Sequence, residues 1–172
     1  MLKLVLLAAL ILAVLAVVAV LKLRVSGPVK TGVYYLRKSL FTAAERSFLG
    51  VLESALPSGV RVLGKVRLAD VFGVVSGLER GERQGALNRI TRKHVDFLLV
   101  STSDLAPLAG IELDDSSHEE EDRHQRDAFV DEVFKSAGLP LLHVPVQKSY
   151  ALADIKTKIA ALTARSHGQG SN

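Results

Sequence analysis

The stretch IELDDSSH, residues 111–118, decides the predicted fold because it places two acids on one side of an apolar strand. Side chains alternate along a strand, so Glu112 and Asp114 are expected to project together, away from the apolar residues between them. Clustered carboxylates repel one another unless a cation lies between them, and a hard divalent ion is the usual partner. A third acid, Asp96, lies in the preceding apolar stretch VDFLLV, residues 95–100. The three acids together predict a metal site.

Asp96 also has a simpler explanation. Asp96 alone would be satisfied by an ion pair with Arg92 or Lys93, as is common at the end of a strand. Glu112 is harder to explain in this way, because apolar residues flank it inside a strand that the pattern predicts to be buried. A charge at that depth costs free energy unless it is paired or bound to a metal.

Histidines are the candidate proton carriers. His118 follows Asp114 by four residues and is a candidate general base or acid, metal ligand or phosphate contact. The alternative is an exposed loop histidine, and spacing alone does not separate the two. His124 and His143 are predicted to be structural.

Basic residues precede Asp96 directly. Arg89, Arg92 and Lys93 are the candidate contacts for a nucleic-acid backbone beside the metal acids. The alternative is that these basic residues only balance the charge of the same acids. Lys65 and Arg67, on the first predicted strand, are further candidates, and the pattern does not show to which face of the sheet they point.

The amino-terminal segment predicts a membrane anchor. Residues 4–21 are 18 consecutive apolar residues, which as a helix would cover roughly 27 Å of a ~30 Å hydrocarbon core. We therefore expect a single-pass anchor at 1–24 and a linker at 25–40. More basic residues follow the anchor than precede it, which predicts an inner (cytoplasmic) membrane protein whose C-terminal domain is cytoplasmic. A cleaved signal peptide is the alternative, but the apolar segment is long and lacks a small-x-small site at its end.

Composition narrows the classes of function. The chain has no cysteine, which fits a reducing compartment, and no tryptophan, which argues against an aromatic platform for single-stranded nucleic acid. Part of its net charge of +4 comes from basic residues that flank the anchor. We expect no organic cofactor, and composition does not specify an oligomeric state.

The remaining pattern predicts a mixed α/β domain at 41–165, with a central sheet flanked by helices, and a disordered tail at 166–172. Its first helix begins with a capping box formed by Thr42 and Glu45. The stretch 73–89 is predicted to be mostly loop. The predicted strands are 60–68, 95–100, 108–113 and 139–146, and the later helices are 127–137 and 151–164.

This order resembles the restriction-endonuclease-like PD-(D/E)XK nuclease superfamily, with its αβββαβ core, over residues 41–146. Glu45 lies on the first helix, Asp96 on the second strand and Glu112 on the third. IELDDSSH followed by RDAFVDEVFKSAGLPLLHVPV, residues 126–146, is similar to the branch of very-short-patch repair endonucleases. An uncharacterised bacterial domain family is also similar, in the segments AERSFLGVLESAL, KVRLADV, KHVDFLLV and IELDDSSH.

The resemblance implies roles for individual residues. Asp96 and Glu112 match the acids that bind Mg²⁺ or Mn²⁺, and Glu45 matches an acid that supports them. Asp114 stands where the superfamily has a lysine, and an aspartate cannot supply that positive charge, so His118 is expected to compensate. The resemblance thus implies a membrane-anchored nuclease acting on DNA, or a catalytically inactive module for nucleic-acid binding or protein interaction at the membrane.

Overall fold

The computed structural model describes residues 1–25, 32–114 and 120–167. The chain divides into two units, Met1–Leu40 and Phe41–Asn172. The expected general base, His118, lies outside the described residues.

The first unit contains helix α1, Leu2–Val25. Its segment Lys3–Leu21 has a mean hydropathy of 3.4. By length and composition α1 can cross a membrane, a property that a signal sequence shares.

In the described part of the second unit, four strands form one mixed sheet in the order β1-β2-β3-β4. Strand β1 (Val60–Arg67) pairs antiparallel with β2 (His94–Ser101), which pairs antiparallel with β3 (Pro107–Asp114). Strand β4 (Leu141–Pro145) runs parallel to β3 at the edge of the sheet. The expected mixed sheet is therefore confirmed, with β2 and β3 as a hairpin at its centre.

Helices cover both faces of this sheet. On one face, α2 (Ala43–Ala55) and α6 (Leu152–His167) bury a core with the inner strands. On the other face lie α3 (Leu68–Val71), α4 (Arg80–Thr91) and α5 (Glu120–Ser136). The largest fully buried side chains are Phe48, Leu52, Phe97, Leu99, Ile111, Val144 and Ile159 in the first core, and Leu68, Val95, Val100 and Phe134 in the second. Two apolar layers therefore fix the sheet from both sides.

Helix α4 is longer than the sequence predicts, because residues 80–91 are helical where mostly loop is expected. Only Leu87 and Ile90 of α4 pack into the second core. Two apolar residues are too few to show the 3.6-residue periodicity of an amphipathic helix. Helices α3 and α4 thus lie between the first and second strands of the expected αβββαβ order.

Candidate functional site

Lys65 lies near the end of β1, directly opposite Asp96 on β2. The neighbouring cross-strand pairs are Gly64↔Phe97 and Val66↔Val95. Lys65 has a φ of 55°, a left-handed conformation that costs a residue with a Cβ roughly 1–2 kcal/mol. Such a conformation persists only where the surroundings enforce it, and it occurs often at functional sites.

Glu45 is brought to Lys65 by the start of α2. Its Oε2 accepts a hydrogen bond of 2.8 Å from the Thr42 backbone N–H, and its own N–H donates to Thr42 Oγ1, so the predicted capping box is confirmed. The other oxygen, Oε1, lies 2.6 Å from Lys65 Nζ. One carboxylate therefore caps the helix and pairs with the lysine.

Phe41 fixes the position of this helix start. Its ring stacks on Phe97 with the centroids 5.6 Å apart, and it lies over Gly64, where an added Cβ would collide with the ring. The absence of a side chain at Gly64 thus lets the chain entering α2 approach the sheet beside Lys65.

Asp96 occupies the point where β2 and β3 separate. The ladder between these strands runs from Val100↔Pro107 to Phe97↔Ile111. Beyond it, the backbone N–H of Leu113 donates to Asp96 Oδ2 at 3.0 Å. The other oxygen, Oδ1, lies 2.7 Å from Lys65 Nζ. Asp96 therefore joins three strands through one carboxylate, and its predicted partners Arg92 and Lys93 are replaced by Lys65 in this ion pair.

Glu112 completes a group of four side chains, Glu45, Lys65, Asp96 and Glu112, which we call the acid–lysine cluster. Burial raises the pKa of the Glu112 carboxyl to about 8, and the charge of Asp96 and a hydrogen bond with it add to the effect. The positive charges of His143 and Lys65 oppose the shift only in part. At neutral pH Glu112 is therefore mostly a neutral acid, whose O–H donates a hydrogen bond to Asp96.

Lys65 stays charged in this setting. Burial disfavours its ammonium, but hydrogen bonds and charge attraction from Asp96 and Glu45 outweigh that, so the pKa of Lys65 is raised. The side chains of Glu45 and Asp96 are only 12% and 16% exposed, so their charges are poorly solvated by water. The ammonium is therefore their main compensation.

The donor chemistry of the cluster suits a hard cation, since carboxylate oxygens are the ligands that Mg²⁺ and Mn²⁺ prefer. The arrangement of the cluster differs from that of a metal site, because the ammonium of Lys65 lies between Glu45 and Asp96. Across residues 1–25, 32–114 and 120–167, no group of three or more His, Asp or Glu side chains is placed to hold a metal ion. A divalent ion would have to displace the ammonium and the proton of Glu112.

Asp114 lies in a second polar group, with His143 and Asp131. His143 Nδ1 is 3.0 Å from Asp114 Oδ1, and its Nε2 is 2.8 Å from Asp131 Oδ1. Partial burial disfavours the imidazolium, but the two carboxylates outweigh it and raise the pKa of His143. Glu112 on β3 lies opposite His143 on the parallel strand β4. The second polar group therefore adjoins the acid–lysine cluster.

The predicted nucleic-acid contacts lie on α4 and in the turn that follows it. The guanidinium of Arg89 lies 4.2 Å from the centre of the Phe129 ring, which makes it part of the packing between α4 and α5. Arg92 is the C-cap of α4, and the backbone oxygen of Lys93 accepts from the N–H of Leu68. These contacts hold the turn in place, and the role of the three residues in binding DNA stays a prediction.

Comparison with known proteins identifies the family. The model of a family described as Protein of unknown function (DUF2726) matches residues 37–162. The chain belongs to this family. No curated protein and no solved structure matches the chain. The expected kinship with an uncharacterised domain family is therefore confirmed.

The DUF2726 match covers both polar groups of the sheet and excludes helix α1. Every member of the acid–lysine cluster lies inside it, as do Asp114, Asp131 and His143. Helix α1 lies outside the matched residues.

Proposed function

We propose that the acid–lysine cluster is the reaction centre of a phosphodiesterase that acts on DNA with Mg²⁺ or Mn²⁺. The observation that carries the proposal is Glu112, a largely buried carboxyl held against Asp96 with a pKa near 8. If Glu112 were purely structural, an amide or an apolar side chain at this position would avoid the free-energy cost of burying an ionisable carboxyl. Strongly perturbed carboxyls of this kind are concentrated at functional sites.

Asp96 and Glu112 would hold the ion, with Glu45 in support. The ion supplies Lewis acidity at the phosphoryl group when it is bound. The raised pKa of Glu112 makes this binding sensitive to pH, because the carboxyl must first lose its proton. Binding is therefore expected to strengthen as the pH rises toward 8.

Lys65 supplies the positive charge that Asp114 cannot. Once released from Asp96, its ammonium would stabilise the charge that develops on the oxygens of a phosphate held by the ion. In the second polar group, Asp114 and Asp131 outweigh partial burial and raise the pKa of His143, which favours an imidazolium opposite Glu112. Arg92 and Lys93 would steady the DNA backbone.

A non-catalytic module is the second candidate, and a specific observation favours it. The Lys65 ammonium already pairs with both Glu45 and Asp96 at hydrogen-bonding distance, and no group of described residues is placed to hold a metal ion. In that case the domain binds nucleic acid or a protein, and the ion pairs are structural.

The test measures ion binding and cleavage separately, on the full chain in detergent micelles. Mn²⁺ binding is followed by electron paramagnetic resonance, and cleavage is assayed on plasmid and single-stranded DNA. We expect Glu112→Gln to lose Mn²⁺ binding and to lower cleavage by roughly a hundredfold or more. Glu53→Gln, at an exposed site on the same helix as Glu45, is the matched control and should match the wild type.

The outcomes separate the two candidates. Cleavage that survives Glu112→Gln, or that persists without divalent ions, would overturn the proposed centre. Salt-dependent DNA binding with neither Mn²⁺ binding nor cleavage supports the non-catalytic module.

A further inference from the structure

The segment VYYLRKSL, residues 33–40, follows helix α1 and exposes an unusual amount of apolar surface. Four consecutive large side chains, Val33 to Leu36, are 59%, 79%, 84% and 95% exposed, and Leu40 is 72% exposed. We call residues 33–40 the tyrosine segment.

Such exposure is not general in this protein. In the described part of Phe41–Asn172, the exposed large apolar residues are scattered singly along the chain, at Leu63, Val75, Leu78, Leu105 and Leu152. Single exposed apolar residues are normal on a protein surface, whereas a contiguous group marks a surface that another apolar medium covers. The tyrosine segment is of the second kind.

The chemistry of the segment matches a membrane interface. Tyrosine has an apolar ring and a polar hydroxyl, and it concentrates at the depth where lipid headgroups meet acyl chains. Arg37 and Lys38 follow the two tyrosines after Leu36, and basic side chains at this position are attracted to anionic headgroups. The side chains thus offer apolar burial and charge complementarity together.

The position along the chain agrees with this chemistry. Helix α1 ends at Val25, so only residues 26–32 separate it from the tyrosine segment. Seven residues can span at most about 25 Å, even when fully extended. If α1 crosses a bilayer, the segment is held within reach of the same membrane surface.

We propose that the tyrosine segment is a second membrane contact, which inserts Tyr34, Tyr35 and Leu36 into the headgroup region of a bilayer that contains anionic lipid. The proposal is independent of the proposed function, since it involves no residue of the acid–lysine cluster. It implies that the DUF2726 domain is held close to the membrane surface by its first residues, as well as by α1.

The experiment uses the absence of tryptophan from the chain. The Tyr35→Trp variant then carries a single fluorescent reporter in the tyrosine segment. The full-length variant is reconstituted into vesicles of phosphatidylcholine and phosphatidylglycerol and isolated by flotation. We expect its emission to shift to shorter wavelength, and lipids brominated near the headgroup end of the acyl chain to quench it.

Val75→Trp is the matched control, because Val75 is 71% exposed but lies in the second unit. Its emission should stay at the wavelength typical of water and should not be quenched. A Tyr35→Trp signal that equals this control overturns the proposal. Emission that is shifted but unquenched by any brominated lipid also overturns it, since protein then covers the segment.

The lipid charge is tested separately. Replacing Arg37 and Lys38 by glutamine in the Tyr35→Trp variant should reduce quenching on anionic vesicles, and added salt should have the same effect. Equal quenching on pure phosphatidylcholine, insensitive to salt and to both substitutions, would overturn the assignment to anionic lipid.

Discussion

Lys65 and Asp96 face each other across two neighbouring strands, with Lys65 Nζ 2.7 Å from Asp96 Oδ1. The same ammonium lies 2.6 Å from Glu45 Oε1, so one cation joins the first helix to the centre of the sheet. The site therefore has a lysine beside its acids although residue 114 is an aspartate. The positive charge comes from the first strand, at a residue with a left-handed backbone.

The first prediction concerns the stability that Lys65 provides. Lys65→Met keeps the length of the side chain but removes the charge, leaving Glu45 and Asp96 mostly buried without their ion pair. We expect the free energy of unfolding to fall on the order of 2 kcal/mol, measured by urea denaturation at neutral pH. Lys148→Met, at an exposed site, should change it by less than about 0.5 kcal/mol. Equal effects of the two variants would contradict the structural role of Lys65.

The same variant provides a second prediction, about divalent ions. Removing the ammonium clears the position between Glu45 and Asp96, and the negative charge there is then uncompensated. If the cluster binds Mn²⁺, the ion should raise the Tm of Lys65→Met by more than it raises the Tm of the wild type. A Tm that Mn²⁺ leaves unchanged in both proteins would favour the non-catalytic module.

The sequence predicts much of this site because several signals are local. The capping box needs only the spacing of Thr42 and Glu45, and the placement of Glu112 next to apolar neighbours needs only strand alternation. Lys65 is not predictable in this way. Its left-handed φ breaks the alternation that would assign it to a face, so the pattern leaves its direction open.

His143 shows the other limit, which is tertiary. Its partners Asp131 and Asp114 lie 12 and 29 residues away in sequence, and they meet only because β3 and β4 run parallel with α5 between them. No spacing rule connects the three residues, so the sequence predicts only a structural histidine. The sequence predicts Glu112 as a site residue, but the proton that Glu112 retains depends on its tertiary burial.

The third prediction follows from the pKa of Glu112. The folded carboxyl titrates near 8 and the unfolded one near 4.5, so the folded state binds more protons between these values. Stability is thus greatest below 4.5 on this account and falls as the pH rises through 8. At about 1.4 kcal/mol per pKa unit, the loss is on the order of a few kcal/mol.

The measurement compares urea unfolding of wild type and Glu112→Gln across that range of pH. Because an amide does not titrate, the free energy of unfolding of Glu112→Gln should decrease much less with rising pH than that of the wild type. Above pH 8 the variant should therefore be more stable than the wild type. Glu53→Gln should keep the dependence of the wild type. The pKa assigned to Glu112 is wrong if Glu112→Gln shows the same fall.

The fourth prediction compares two glycines. Gly64→Ala places a methyl group against the Phe41 ring, which seats the start of α2, and we expect it to cost about 1–3 kcal/mol of stability. Gly50→Ala meets no atom within 4 Å on α2 and should stabilise the protein by roughly 0.5–1 kcal/mol. Thermal unfolding measures both. Two changes of the same sign would contradict the close approach of Phe41 to Gly64.

The last prediction concerns the imidazolium of His143. Its folded pKa is raised above 6.5 by Asp114 and Asp131, so the stability it contributes is fully present below 6.5 and is lost as the pH rises through the folded value. Asp131→Asn removes one of the two carboxylates. The pKa of His143, followed by the NMR shift of its ring proton, should therefore fall. Glu132→Gln changes the next residue of the same helix, which is exposed, and should leave the titration where it is in the wild type. If the two variants shift the midpoint equally, the effect is one of general charge, and the contact between His143 and Asp131 is not its cause.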